Sequence, residues 1–206
     1  MLNIAVLISG NGSNLQSLID HVNRGSIDGK IAVVISDRPG AYGLERARLS
    51  GIPTVCFDRK KQTLDEMNSM ILCELQKYNV KLVVLAGYLS ILSKEIIDTY
   101  KNAVINVHPS LIPSFCGPGY YGLNVHKSVI EYGVKVSGCT VHFVDEGTDT
   151  GPIILQKAVE VKDFDTPESL QRRVLEYEHK LLPEAVRLFC EKRISVNGRK
   201  VIIRLE

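Results

Sequence analysis

Asn106 and His108 stand two residues apart at the end of the apolar run AVINVH, with Pro109 directly behind the imidazole. On a strand alternate side chains share a face, so the carboxamide and the imidazole would project together while Val107 packs on the other side. An imidazole moves protons near neutral pH, and an amide N–H can steady a developing oxyanion. Asp145, Glu146 and Asp149 are the candidate acidic partners, in the loop DEGTDTG that leaves the strand carrying His142. A carboxylate from that loop would hold His108 and raise its pKa. Each feature also has a plain reading: a satisfied histidine, a turn-forming asparagine, a solvated acidic loop. His142, alternating with Thr140 and Val144, reads as a packed histidine rather than a ligand. With no metal-ligand cluster and no GxSxG, HExxH or Walker loop, proton transfer with oxyanion stabilisation is the chemistry left to these residues.

A second candidate lies near the start, where Gly10, Gly12, Ser13 and Asn14 separate the first apolar run from the first helical pattern. Backbone N–H groups and the helix dipole at such a turn attract a phosphate. Gly10 and Gly12 match the first two glycines of a dinucleotide fingerprint, and Asp37 ends the second strand near where a ribose-binding acid would lie, but Leu15 replaces the third glycine. Ser13 and Asn14 add side-chain donors suited to a monophosphate, and Ser13 would otherwise serve as the helix cap.

The elements that must position these residues follow from hydrophobic rhythm. NIAVLIS, KIAVVIS, IPTVCF, KLVVLAG and AVINV alternate with the helical patterns SNLQSLIDHV, GLERARLS and LDEMNSMILCELQKY. That predicts a parallel sheet with helices on both faces, and it sets Asn106, His108 and the glycine loop at carboxyl ends of strands, where open α/β sheets bind ligands. After Pro113 a long glycine-bearing connection, SFCGPGYYGLN, leads to VSGCTVHFVD and GPIILQKAVEV, which predict a mixed or antiparallel half. Thr166 as N-cap, Pro167 at the first position and Ser169 open a long helix, with a bend expected at Pro183. Asn197 and Gly198 mark a closing hairpin in RISVNGRKVIIRL. His126 and His179 fall on predicted helices and His21 on a surface turn.

One domain is expected over 1–206: a parallel βα half, 1–107, and a mixed half, 108–206, that completes the site and ends in the hairpin. The net charge of +2 is spread along the chain, which argues against a nucleic-acid partner. No apolar run approaches the roughly 18 residues of a membrane span. Cys56, Cys73, Cys116, Cys139 and Cys190 are odd in number and lack a CxxC pair, which fits a reducing cytoplasm, with Cys116 a filler rather than a nucleophile.

The blocks SGNGSNLQSLID, LAGYLSIL, INVHPSLIPSF and GCTVHFVDEGTDTGPIILQ, in this order, resemble the phosphoribosylglycinamide formyltransferase family, and the resemblance covers nearly the whole chain. It implies a Rossmann-like formyltransferase fold and transfer of a formyl group from 10-formyltetrahydrofolate to the amine of 5′-phosphoribosylglycinamide (GAR) in purine biosynthesis, with no metal. The partners implied are these small molecules, with no membrane, in a monomer or homodimer. By matching residues, the resemblance makes Asn106, His108 and Asp149 the catalytic trio: His108 the proton shuttle, Asp149 supporting its protonated form, Asn106 steadying the oxyanion. It gives Gly12, Ser13, Asn14 and Glu178 to GAR. It gives Leu89, Ser90, Ile91, Leu92, Asn106 and the loop Asp145, Glu146, Gly147, Thr148, Asp149 to the folate.

Two departures stand out. Ser90 occupies a position where family members often carry arginine, and another basic folate contact of the family, before the third long helix, has no clear match here, the nearest cations being Lys60 and Lys61. The Gly117–Gly122 loop is longer than the compact form. The competing expectations are another folate-dependent formyl enzyme, a formyltetrahydrofolate hydrolase or methionyl-tRNA formyltransferase, and a catalytically silent nucleotide-binding module. The hydrolase and the tRNA enzyme normally carry a further domain, for which 206 residues leave no room.

Overall fold

A computed structural model describes residues 1–204; Leu205, which ends the expected hairpin segment, and Glu206 lie outside the described residues. The described chain divides into two compact units, Met1–Ile105 and the part from Asn106 onward. Strands β1 (Leu2–Ile8), β2 (Gly29–Ser36), β3 (Thr54–Cys56) and β4 (Leu82–Leu85) of the first unit run parallel in the order β3-β2-β1-β4. From Ile4 to Ile8 every residue of β1 is buried, as a strand covered on both faces requires.

Helices α1 (Ser13–Asn23), α2 (Tyr42–Leu49) and α3 (Leu64–Lys77) make the crossovers. In α1 the buried positions Leu15, Leu18 and Ile19 recur at helical spacing. Burying a side chain of that size stabilises by roughly 1.5–3 kcal/mol. His21 lies in the last turn of α1, not on a separate surface turn. A short helix the pattern does not predict, α4 (Lys94–Thr99), has Ser93 as its cap and only Ile96 buried, too little for a periodic signal.

β5 (Val104–His108) spans the division. The second unit adds α5 (Leu123–Tyr132), β6 (Val136–Phe143), β7 (Ile153–Glu160), α6 (Pro167–Cys190), β8 (Ile194–Asn197) and β9 (Lys200–Ile203). The pair β6–β7 is antiparallel, β7–β9 parallel and β9–β8 antiparallel, so this half is mixed as expected. Helix α6 opens with the Thr166–Ser169 capping box and Pro167, and it stays helical through the buried Pro183. Asn197 is the last residue of β8, paired with Lys200, so the two-residue loop is Gly198–Arg199, one position later than the motif suggests. Gly198, with φ of +59°, supplies the positive φ that a tight hairpin requires.

Candidate active site

Four side chains of the second unit form one polar cluster. Asn106 and His108 leave the end of β5, with Asp149 supplied by the β6–β7 connection. His108 Nδ1 lies 3.4 Å from Asp149 Oδ2. Asn106 Nδ2 donates to Asp149 Oδ1 at 3.4 Å and to His142 Nε2 at 3.2 Å. His142, expected only to pack, therefore belongs to the site, with its Nδ1 donating to the Phe143 carbonyl at 2.8 Å. The register of β6 with β7 also shifts between Val141 and His142.

His108 Nε2 donates to the Phe115 carbonyl at 2.9 Å, and the Gly117 N–H donates to Asp149 Oδ2 at 3.0 Å. One short segment thus touches both members of the acid–base pair. A carbonyl only accepts, so Nε2 carries a proton, and the second proton of an imidazolium would sit on Nδ1 facing the carboxylate. The expected upward pKa shift of His108 is corrected by the structure: burial lowers it below 6.5, outweighing the upward pull of Asp149 and the Phe115 carbonyl. For Asp149 the balance runs the other way. Burial pushes its carboxyl up, but the His142 ring, His108 and the Gly117 N–H together hold it below the usual carboxylate value.

Asp149 is the only one of the three candidate acids that meets His108 among the described contacts. It adopts φ of +58°, a left-handed conformation uncommon outside glycine and tolerated best by Asp and Asn. Gly151 closes the same loop, and a Cβ there would meet the Phe143 carbonyl oxygen at 1.8 Å. Asp145 braces the loop, accepting from the Gly147 N–H at 3.2 Å and the Thr150 hydroxyl at 2.5 Å, while Glu146, Gly147 and Thr148 are exposed. Below the pair, Thr140 Oγ1 donates to Ser110 O at 2.7 Å and accepts from the Ile112 N–H and from Gln156 Nε2, which ties the HPSLIP segment to β6. Glu178 is buried on α6, near enough to add to the burial that pushes the Cys139 thiol up to about 12.

In the first unit, Gly12 rather than Ser13 is the N-cap of α1: its φ of +75° turns the chain, and Ser13 is the first helical residue. No side-chain hydrogen bond caps that end, and the start of a helix is where backbone N–H groups and the dipole can meet an anion. The turn is packed hard against α2, since a Cβ on Gly12 would come within 2.6 Å of Gly43 Cα.

At the end of β4, Leu89 and Ile91 are exposed and Leu92 is buried. This segment is pinned by polar groups that sequence reading missed. Leu89 N–H donates to Ser9 Oγ at 2.8 Å, and Asn68 on α3 bonds Ile91 O at 3.1 Å and Ser93 N at 2.9 Å. Asn68 was detectable as a polar residue on the apolar face of α3, among Met67, Ile71 and Leu72. Ser90 Oγ donates to the buried Asp37 at 2.7 Å, and Arg59 Nη1 lies 3.8 Å from the same carboxylate. Arg38, Arg59 and Lys60 line a cleft of about 800 Å³ with Ser9, Gly10 and Asn11. Among the described residues no group of His, Cys, Asp and Glu is arranged to hold a metal ion.

Residues 2–186 match the family model described as formyl transferase. The chain belongs to the formyl transferase family. It is 42% identical over 197 residues to a phosphoribosylglycinamide formyltransferase of Haemophilus influenzae, covering 95% of this chain and 91% of that one. It is 42% identical over 194 residues to the chloroplastic phosphoribosylglycinamide formyltransferase of Arabidopsis thaliana, covering 93% of this chain but 66% of the relative's length. Glycinamide ribonucleotide transformylase 1 from Symbiobacterium toebii superposes with a TM-score of 0.93 at 47% identity, covering 98% of this chain and 94% of that one. The mixed α/β architecture described above is the fold of these formyltransferases.

Proposed function

We propose that the protein transfers the formyl group of 10-formyltetrahydrofolate to the amine of GAR, giving formyl-GAR and tetrahydrofolate. The observation that carries this reading is the Asn106–His108–Asp149 cluster, a proton carrier and an amide donor both in contact with one carboxylate, in a chain of this family. The substrate amine is the nucleophile. Its attack on the formyl carbon forms a C–N bond and turns the formyl oxygen into an oxyanion, which an Asn106 N–H would meet by giving up one of its two present acceptors. His108 would carry the proton lost by the amine to the folate nitrogen as the old C–N bond breaks, and Asp149 would stabilise the imidazolium between the two transfers.

Gly12, Ser13 and Asn14 would take the ribotide phosphate, with Glu178 contacting the ribotide. Leu89 to Leu92 and the loop Asp145 to Asp149 would contact the folate, the former through exposed apolar side chains and backbone. A cytoplasmic location and a monomer or homodimer remain part of this reading, and no helix among the described residues is long and apolar enough to cross a membrane.

The test is to supply GAR and 10-formyltetrahydrofolate together and singly and to follow formyl-GAR by mass. Product only with both supports the transferase. Formate released from the folate alone would select a hydrolase, and silence in every arm would select a binding module.

A further inference from the structure

Arg46 is a charged side chain whose guanidinium does not serve its own helix. It sits in the last turn of α2, where a cation ordinarily complements the helix dipole. Its head instead crosses to the β1–α1 turn: Nε donates to the Asn11 carbonyl at 2.9 Å, Nη2 to Asn11 Oδ1 at 3.0 Å, and Nη1 reaches Gln16 Oε1 at 3.4 Å. The guanidinium also lies 4.9 Å from the centre of the Tyr42 ring, a cation–π contact. Next to it the Gly43 N–H donates to the Gly10 carbonyl at 3.1 Å. Two consecutive carbonyls of the turn, those of Gly10 and Asn11, are therefore both taken by α2.

We infer that Arg46 is a positioning residue for the anion-binding turn. By holding the Asn11 carbonyl on the α2 side, it commits the peptide planes of the turn to one orientation, with the Gly10 and Asn11 carbonyls toward α2 and the N–H of the Asn11–Gly12 peptide, antiparallel to its carbonyl, turned the opposite way. A loop with glycines at 10 and 12 has many accessible backbone states, and Gly12 already uses one that other residues resist. Each state in which the Asn11 peptide turns over would aim a carbonyl dipole at the anion. Arg46 removes those states before the ligand arrives, and it adds a fixed positive charge behind the turn. The inference rests on the ribotide reading given above.

Steady-state kinetics of Arg46→Gln and Arg46→Lys, with the melting temperature followed in parallel, test it. Removing charge-assisted bonds from a ligand-orienting turn predicts a KM for GAR raised about tenfold or more in Arg46→Gln, with kcat and the KM for the folate within about twofold. Inhibition by inorganic phosphate, competitive with GAR, should weaken in parallel. Arg46→Lys should recover only part of the loss, because an ammonium cannot span both Asn11 acceptors as a planar fork does. Guanidinium ion added to Arg46→Ala should lower the KM for GAR again. Should Arg46→Gln fold too poorly to assay, Asn11→Ala decides: it removes one of the two Asn11 acceptors and should raise the same KM by about twofold to threefold. An unchanged KM for GAR, or equal losses in both substrates and in kcat, overturns the assignment. Ser13→Ala combined with Asn14→Ala separates the two levels. If that pair raises the KM for GAR and Arg46→Gln does not, only the role of Arg46 fails; if neither does, the phosphate is bound elsewhere.

Discussion

The two candidate sites are made in opposite ways. In the second unit, Asn106, His108, Asp149 and His142 come from β5, β6 and a loop, and side chains grip one another across 36 to 43 residues of sequence. In the first unit the glycine turn is almost all backbone, shaped by positive φ at Gly12, by the close approach of Gly43 and by one arginine. The first arrangement suits moving a proton, which needs titratable groups held within reach of each other. The second suits gripping a dianion, which needs fixed dipoles and no titration. Damage to the two should therefore be read in different kinetic constants.

The largest effect should come from His108→Ala and Asp149→Ala, each lowering kcat by about 10²- to 10⁴-fold while the KM for GAR changes little. Near-normal turnover in either would erase the contrast. Asp149→Asn sharpens it. Asp149 raises the pKa of His108 against the larger lowering by burial, so removing its charge moves that pKa lower still. If protonated His108 is the working form, activity falls as pH rises through that pKa, and the fall should occur at lower pH in the variant; a limb that stays in place, or moves up, contradicts the pairing.

Stability against acid should divide along the same line. The buried histidines His108, His126 and His142 all belong to the second unit. Burial holds His126 at about 4, well below its ordinary 6.5, and lowers His108 as well. Between the folded and unfolded pKa values the unfolded chain binds more protons, so stability is intact above about pH 6.5 and is lost as pH falls. His126→Gln should relieve roughly 3 kcal/mol of the loss between pH 6.5 and 4, measured by urea unfolding at each pH. An identical pH profile in the variant would mean the imidazole is not held neutral. A smaller effect is expected of Ser13→Ala with Asn14→Ala, a rise in the KM for GAR of about tenfold at unchanged kcat, since the backbone donors survive.

How much of this could be read beforehand follows from the same contrast. Asn106 and His108 were legible because strand alternation is a rigid rule and β5 obeys it. Asp149 could not be told from Asp145 and Glu146, because a loop has no period; what selects it is its own φ and the jam of Gly151 against the Phe143 carbonyl. His142 was read as packed, and it is buried, but its hydrogen bond to Asn106, 36 residues away in sequence, could not be read from alternation alone. The sign of the His108 shift was missed for a related reason: carboxylates can be counted along a chain, but the depth at which an imidazole lies cannot. The parallel half was readable from its buried apolar runs, and the first helix cap was misplaced by one residue because glycine, through φ alone, took the place of a hydroxyl.

The Phe115 carbonyl has a consequence for timing. The ring nitrogen it covers is the one that does not face the carboxylate, so the resting protein keeps its shuttle corked from that side. On the proposed mechanism, use of Nε2 would require breaking its bond to the Phe115 carbonyl, in a stretch whose other anchor is the Gly117 bond to Asp149. While that bond holds, Nε2 would be occupied and unable to exchange a proton with a substrate amine.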